Sequence, residues 1–296
     1  MKSETNIALS IIIVNFNAAF FLERCLESIY QNPPQMSFEV LVIDNGSHDK
    51  SAEMVESKFP QVVLIKNPVD LHYSKATNQG IRQSNGRYLF CLNPDTIVLP
   101  NTFGSVVQLL EENPHAAAVG SRLLNPDLSD QGTSRRFPTP MSALFGRKSF
   151  LTKWFQNNRF SRRYMAAENR NSTEPYEVDW LSSAAMLVRK SLVEQVGGLD
   201  ESFYYWVDAD WCYRIKKAGW KIYCLPASKV IHDEGKGSGQ KDKKTLNQDI
   251  IDFHRGAYRY YCRHYPLGPF HFMKLLAFMG LSLRAFILLT MNTLQR

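Results

Sequence analysis

The chain holds only five cysteines in 296 residues, at positions 25, 91, 212, 224 and 262, with no C-x-x-C pair among them. An odd, scattered set excludes a disulfide framework and argues against a thiolate zinc site, so the expectation is reduced thiols in a cytosolic setting. The common phosphate-binding signatures are missing too. There is no G-x-x-x-x-G-K-[ST] and no G-x-G-x-x-G after the first apolar run, which argues against a P-loop and a dinucleotide-binding Rossmann domain. The apolar run Ile7 to Val14 is too short for a signal-peptide core with its flanks and ends in Asn15, so it reads as a first strand. Toward the other end, Lys274 and Arg284 interrupt a strongly apolar segment from Leu267 to Leu294. No run of ~18 uncharged residues remains, so a membrane-surface helix or shallow hairpin is expected rather than a spanning helix, with a partner-docking helix as the alternative.

What is present is ordinary globular material, 44% hydrophobic and 21% charged. β-Branched or aromatic runs at 8–14, 39–43, 62–65 and 88–92 alternate with helical spacing at 20–29, 51–59 and 75–84. This alternation predicts an α/β fold, a mostly parallel sheet flanked by helices. A helix over 101–113, a strand over 117–124 and two short last strands at 222–225 and 229–231 follow.

Each early strand stops in polar residues: Asn15 and Asn17, then Asp44-Asn-Gly-Ser47, then Asn67-Pro68, then Asn93-Pro-Asp95. Parallel strands put these ends on one rim, where open α/β sheets bind ligands. Turn chemistry is the competing account, since Asn-Gly and Asn-Pro-Asp are common turn residues and Ser47 or Asp49 can cap a helix. If a nucleotide binds, an ion handles its phosphates, held by one or two carboxylates. Ser182 to Ala185 are small enough to let backbone approach a ligand. Further on, Asp208 and Asp210 follow the buried-type run Phe203 to Val207 and open a helix. The helix dipole accounts for one acid there; a second, on an apolar cleft wall, has the setting of a general base. His232 precedes a glycine-rich loop at 232–239.

The formal charge of +7 points to an anionic partner, whether nucleic acid, lipid headgroups or a phosphorylated small molecule. Between Arg135 and Arg170 the bases interleave with Phe137, Phe145, Phe150, Trp154, Phe155, Phe160 and Tyr164, and Glu168 is the single acid.

Taken in order, Ile12-Ile-Val-Asn-Phe-Asn17, Val42-Ile-Asp-Asn-Gly-Ser47, Asn78-Gln-Gly80, Leu92-Asn-Pro-Asp95, Arg135-Arg-Phe-Pro138, Asp179-Trp-Leu-Ser182, Asp208-Ala-Asp210 with Arg214, and Ile231-His232 resemble the family 2 glycosyltransferases of the GT-A fold, rhamnosyltransferase-type branch. The resemblance spans roughly residues 8–265. It implies a GT-A domain over 1–239 and a C-terminal basic and apolar helical extension over 240–296. It implies a divalent cofactor, Mn²⁺ or Mg²⁺, on Asp95 and His232, and Asp208 as the base that deprotonates the acceptor hydroxyl. Asn15, Asn17, Asp44, Asn78, Asn93, Asp95, Trp180 and Ser183 would line the nucleotide-sugar site, with Asp44 at the base. Asp210, Arg214, Arg135 and Arg136 would lie on the acceptor side. The implied partners are a nucleotide-sugar donor, deoxythymidine-diphosphate rhamnose in the first instance, and a glycan or polyprenyl-diphosphate-linked acceptor at a membrane surface, with no nucleic acid. The implied location is cytoplasmic, peripheral on the inner face of the bacterial plasma membrane.

Three positions depart from the pattern: Val207 stands where the family has Glu, Ser183 where it has Gly, and Leu71-His-Tyr-Ser-Lys75 is an unusual loop. A processive synthase is not expected, because Gln-x-x-Arg-Trp is absent. A nucleotidyltransferase lacks its Gly-rich, Arg-containing first loop. The rival from another class is a basic membrane or nucleic-acid adaptor that keeps the fold without catalysis.

Overall fold

The computed structural model describes residues 7–138, 164, 172–235, 243–265, 268 and 271–294. Most of the basic and aromatic stretch, and the glycine-rich loop beyond Gly235, lie outside the described residues.

The sheet is built around β1 (Leu9–Asn15), whose neighbours are β2 (Phe38–Asp44) and β4 (Tyr88–Leu92), both parallel to it. β3 (Val63–Lys66) extends the parallel edge beyond β2. The crossovers are α1 (Ala19–Gln31), α2 (Ser51–Lys58) and α3 (His72–Gln83). Beyond β4 the sheet turns mixed. β5 (Thr96–Val98) leads through α4 (Thr102–Glu112) to β6 (Ala116–Leu124), and the small strands β7 (Ser134–Arg135), β8 (Tyr176–Glu177) and β9 (Trp180–Leu181) precede β10 (Ala185–Arg189). β10 runs antiparallel between β4 and β6. After α5 (Lys190–Val196) and α6 (Val207–Lys217), β11 (Lys221–His232) pairs parallel with β6 and antiparallel with β5. The main sheet order is β3-β2-β1-β4-β10-β6-β11-β5.

The two short last strands expected from the sequence are one. Leu225 and Lys229 flank a register shift, where the extra residues around Pro226 bulge out without breaking the pairing. The sheet buries Leu9, Ile11, Ile13, Val42, Phe90 and Leu187 on one face and Ile12, Leu41, Cys91, Met186 and Val188 on the other. Two-sided burial explains why β1, β2 and β4 read as continuous apolar runs instead of alternating ones.

The chain ends in a helical hairpin, α7 (Lys243–His264) and α8 (Phe272–Leu294). Asn292 donates to Asn247 at 2.8 Å, and the Tyr258 and Phe278 rings meet edge-on at 5.6 Å. α7 is docked on the body of the protein. A Cβ added at Gly256 would sit 2.9 Å from the Tyr205 carbonyl oxygen, so only glycine lets the helix backbone approach that closely. α8 has no buried residue. Its 23 residues form one helix, apolar and long enough to cross a bilayer. The sequence expectation of no spanning candidate is revised on this point, because Lys274 lies in the first turn of the helix and only Arg284 interrupts its interior.

Candidate functional site

Strand register assembles the site. Asn15 pairs with Asp44, Ile13 with Leu92 and Leu92 with Ala185, so the carboxyl ends of β1, β2 and β4 and the start of β10 share one rim. His232, at the end of β11, pairs with Thr96 in β5, which brings the histidine beside Asp95.

On the β1–β2 side the polar residues knit the loops together. The Asn15 amide donates to Asp44 Oδ1 at 3.0 Å and to Ser47 Oγ at 3.1 Å, and the Ser47 N–H donates to Asp44 Oδ2 at 3.1 Å. Asn17, with φ of 51°, donates its N–H to Ser47 Oγ and accepts from the His48 N–H. Asp44 is 4% exposed, and each carboxylate oxygen keeps acceptor capacity beyond these bonds. Asn78 is set apart from this group. Its amide donates to the Leu199 carbonyl and to Glu201, and its Oδ1 accepts the Leu199 N–H, so its contacts pin the turn before α6.

At the centre, Asp95 Oδ1 lies 3.3 Å from His232 Nε2, with both side chains almost wholly buried. The Asn93 amide nitrogen is 3.4 Å from the same Nε2. The His232 Nδ1 faces Gln131 Oε1 at 2.7 Å. Among the described residues no group of three or more His, Cys, Asp or Glu side chains is placed to hold a metal ion. The Asp95 carboxylate nonetheless fits a divalent ion of the Mg²⁺ or Mn²⁺ class, which takes substrate phosphates and water in its remaining positions instead of an all-protein cage, and the His232 imidazole suits a first-row transition ion such as Mn²⁺ better than Mg²⁺.

Asp208, in the first turn of α6, accepts from the Ala209 N–H at 2.9 Å, and the Ser183 main chain lies close enough to favour its ionised form. Ser183 thus faces Asp208 with its main chain, and its side chain lies by the Tyr73 hydroxyl. Burial pushes the Asp208 carboxyl up from the ordinary carboxylate range, and the nearby Arg135 guanidinium partly offsets this. Arg135 itself lies over the Trp180 ring, 4.5 Å from its centroid, held there by the β7–β9 pairing of Arg135 with Trp180. The Trp180 indole donates to the Arg136 carbonyl, and Arg136 faces Asp179 at 3.7 Å.

Asp210 and Arg214 have internal partners. Asp210 has no exposed surface, and its oxygens meet Arg214 Nε at 2.8 Å and His264 Nε2 at 2.7 Å. Arg214 also donates to the Val196 and Gly198 carbonyls. Burial opposes ionisation of Asp210, but the His264 hydrogen bond and the Arg214 charge outweigh it and hold the carboxyl below its usual range. Further bonds tie α7 to the same segment: Arg263 to Asp200, Arg259 to the Ser202 carbonyl, and the Trp206 indole to the Phe253 carbonyl. Trp206 adopts φ of 72°, a left-handed conformation that costs a non-glycine residue about 1–2 kcal/mol and persists only where packing enforces it. Here Phe253 and Tyr260 of α7 pack on its ring.

Sequence reasoning missed Gln131 and Tyr73. Tyr73 falls in the unusual 71–75 loop, which was a signal; Gln131 sits in a stretch with no motif at all.

Comparison with known proteins agrees with this architecture. A mannosyltransferase of Pyrobaculum calidifontis, solved with GDP-Man and Mn²⁺, superposes with a TM-score of 0.59 at 16% identity over 98% of this chain and 74% of its own. GalNAc-T7, solved with UDP, GalNAc and Mn²⁺, gives 0.61 at 18% identity over 88% of this chain and 51% of its own. At those identities the likeness concerns the fold, GT-A. In sequence, the N-acetylglucosaminyl-diphospho-decaprenol L-rhamnosyltransferase of Mycobacterium tuberculosis is 28% identical over 250 residues, 80% of each chain. The pattern described as Glycosyl transferase family 2 matches residues 10–197, from the second residue of β1 to the residue after α5, which is more than half of the protein. The chain belongs to glycosyl transferase family 2 and is a glycosyltransferase.

Proposed function

We propose that this glycosyltransferase is metal-dependent and inverting, and that it moves one sugar, rhamnose from deoxythymidine-diphosphate rhamnose in the first instance, onto a hydroxyl of a polyprenyl-diphosphate-linked glycan. The observation that carries the reading is the convergence on one sheet rim of a buried carboxylate–imidazole pair, Asp95 and His232, with a separate carboxylate of raised pKa, Asp208. The mycobacterial relative's L-rhamnosyl donor and diphospho-decaprenol-linked acceptor support the choice of substrates. The Mn²⁺ in the two structural neighbours supports the cofactor.

Asp95 and His232 would hold the ion. When bound, it supplies positive charge to the diphosphate and so stabilises the departing nucleoside diphosphate. The chain's own part is the proton and the geometry. Asp208 takes the acceptor hydroxyl proton as that oxygen bonds to the anomeric carbon from the face opposite the diphosphate. The carbon–oxygen bond to the diphosphate breaks with its electron pair, and the anomeric configuration inverts. Arg135 favours the ionised form of Asp208 and so partly offsets the pull of burial. The residues 1–239 would form the catalytic domain and 240–296 an extension.

Release of nucleoside diphosphate, measured with candidate donors, a lipid-linked acceptor and titrated Mn²⁺ or Mg²⁺, tests the metal step. Asp95→Ala is expected to lose about 10³-fold in turnover, the several kcal/mol that a metal contributes to charge stabilisation. Unchanged turnover with unchanged metal dependence would return Asn93-Pro-Asp95 to being a turn.

The exposed apolar face of α8, with Leu283 at 61% and Phe286 at 67% accessibility, supports seating on the membrane that carries such an acceptor. Leu283→Asp with Phe286→Asp should leave thermal stability within about 0.5 kcal/mol, as exposed substitutions do. It should weaken co-sedimentation with anionic phospholipid vesicles by about tenfold or more, since burying each such side chain is worth about 1.5–3 kcal/mol. Equal vesicle binding by the variant would remove α8 from the membrane contact.

A further inference from the structure

We infer that Gln131 is a positioning residue that fixes the tautomer of His232, holding its Nε2 lone pair toward the Asp95 pocket so that the imidazole is ready to take a divalent ion. The inference rests on the reading of His232 as a metal ligand, which it deepens by one shell.

Which nitrogen of His232 carries the proton follows from a main-chain oxygen. Gln131 is 8% exposed and sits in the loop after β6. Its Nε2 lies 2.9 Å from the His232 carbonyl oxygen and 3.0 Å from Asn125 Oδ1. A carbonyl oxygen only accepts, so the Gln131 group facing it must be the NH₂. Asn125 agrees, because its own amide nitrogen is committed to Ser129 Oγ at 2.8 Å, which leaves its oxygen toward Gln131. Flipping the Gln131 amide would set oxygen against oxygen at both places. Its Oε1 is therefore the atom 2.7 Å from His232 Nδ1, and that oxygen can only accept. Nδ1 carries the hydrogen.

In the neutral ring, a hydrogen on Nδ1 leaves the lone pair on Nε2, the atom 3.3 Å from Asp95 Oδ1 and 3.4 Å from the Asn93 amide nitrogen. The opposite tautomer would place N–H in the pocket and block coordination. Metal-bound histidines usually have their second nitrogen engaged in this way, and loss of such an outer partner costs about 10–100-fold in metal affinity. Gln131 is anchored independently of the histidine. Its backbone N–H donates to the Leu123 carbonyl at 3.0 Å, so β6 holds one end of the arrangement while the β11 carbonyl holds the other. A glutamine suits the task because one side chain offers an acceptor to the ring and a donor to the main chain of the same residue.

Two readouts on the full-length protein test this. Long-range ¹H–¹⁵N spectra of histidine-labelled protein should show neutral His232 as the Nδ1–H form in the wild type and a shift toward the Nε2–H form in Gln131→Met, which keeps the side chain's length and removes both polar groups. Titration of Mn²⁺ by electron paramagnetic resonance, with a nucleoside diphosphate present, should show affinity about 10–100-fold weaker in Gln131→Met. Gln131→Glu keeps an acceptor for Nδ1–H while setting its second oxygen against the His232 carbonyl, so it should keep the Nδ1–H form that Gln131→Met loses. A wild-type His232 in the Nε2–H form, or a folded Gln131→Met with unchanged tautomer and unchanged Mn²⁺ affinity, overturns the inference. Absence of Mn²⁺ binding by the wild type would overturn the metal reading itself, while the tautomer spectra would still decide what Gln131 does.

Discussion

Asp208→Asn is expected to reduce acceptor-dependent nucleoside diphosphate release by about 10³-fold, within the range general-base catalysis contributes, while leaving the folded protein more stable at neutral pH than the wild type. The two effects have one cause. Burial raises the folded-state pKa of Asp208 above its unfolded value, with Arg135 opposing. For a raised group the contribution to stability is fully present below the unfolded pKa and is lost as pH rises through the folded pKa. At neutral pH the ionised carboxylate is therefore a cost to the fold, and the neutral amide removes it. An activity lost together with melting temperature would mean that Asp208 is holding structure instead. The same shift sets the wild-type pH dependence. kcat/KM should fall on acidification at a pH above the ordinary carboxylate range, because the base must be unprotonated to accept the hydroxyl's proton. Arg135→Met should move that limb higher still, since it deletes the charge that favours ionisation. A limb that stays put in Arg135→Met would separate Arg135 from the base.

Much of this site was legible in the sequence for a geometric reason. The sheet is buried on both faces, so β1, β2 and β4 appear as apolar runs, and whatever polar residue ends such a run must lie on the rim. That is why the sequence places Asn15, Asp44, Asn93 and Asp95 on the rim, where the structure has them. His232 was found by its place at the end of the last strand, but the reason it meets Asp95 is the antiparallel pairing of β11 with β5, which depends on long-range register. Gln131 was invisible because its meaning lies entirely in atoms 101 residues away, the His232 ring and carbonyl. The two acids of Asp208-Ala-Asp210 show the limit of a local motif. Two positions apart on α6, they point to different surroundings: Asp208 to the Ser183 backbone and Arg135, Asp210 to Arg214 and α7. Similarly, the apolar composition of α8 was plain, whereas the docking of α7 on the segment 200–210 was not. Beside the Phe253 and Tyr260 rings, α7 docks through histidine, arginine and a glycine, residue types that carry no packing signal of their own.

Asp210 is where the structure predicts the largest loss of stability. Asp210→Ala removes a fully buried carboxylate from between Arg214 and His264 and leaves both without their acid partner, a rupture that costs about 3–5 kcal/mol when one partner of a buried pair is deleted. In a protein of this size that corresponds to a fall in melting temperature of about 10 °C. The acid side carries the sign. Asp210 is depressed in the folded state, so its contribution is present above the unfolded carboxylate pKa and is lost as pH falls through the folded one. The gap between wild type and Asp210→Asn should thus be widest near neutrality and close on acidification; the Asp208→Asn gap should close in the same direction but carry the opposite sign, the variant there being the more stable. Thermal unfolding of the full chain across pH measures both. The outcome also distinguishes two roles for the residue. A carboxylate that binds acceptor would, when removed, raise the acceptor KM and leave unfolding unchanged. A carboxylate that ties α7 to the segment bearing Trp206 and Asp208 would lower the melting temperature first and lower kcat with it, because the strained Trp206 turn that aims Asp208 is held by Phe253 and Tyr260 of the same helix.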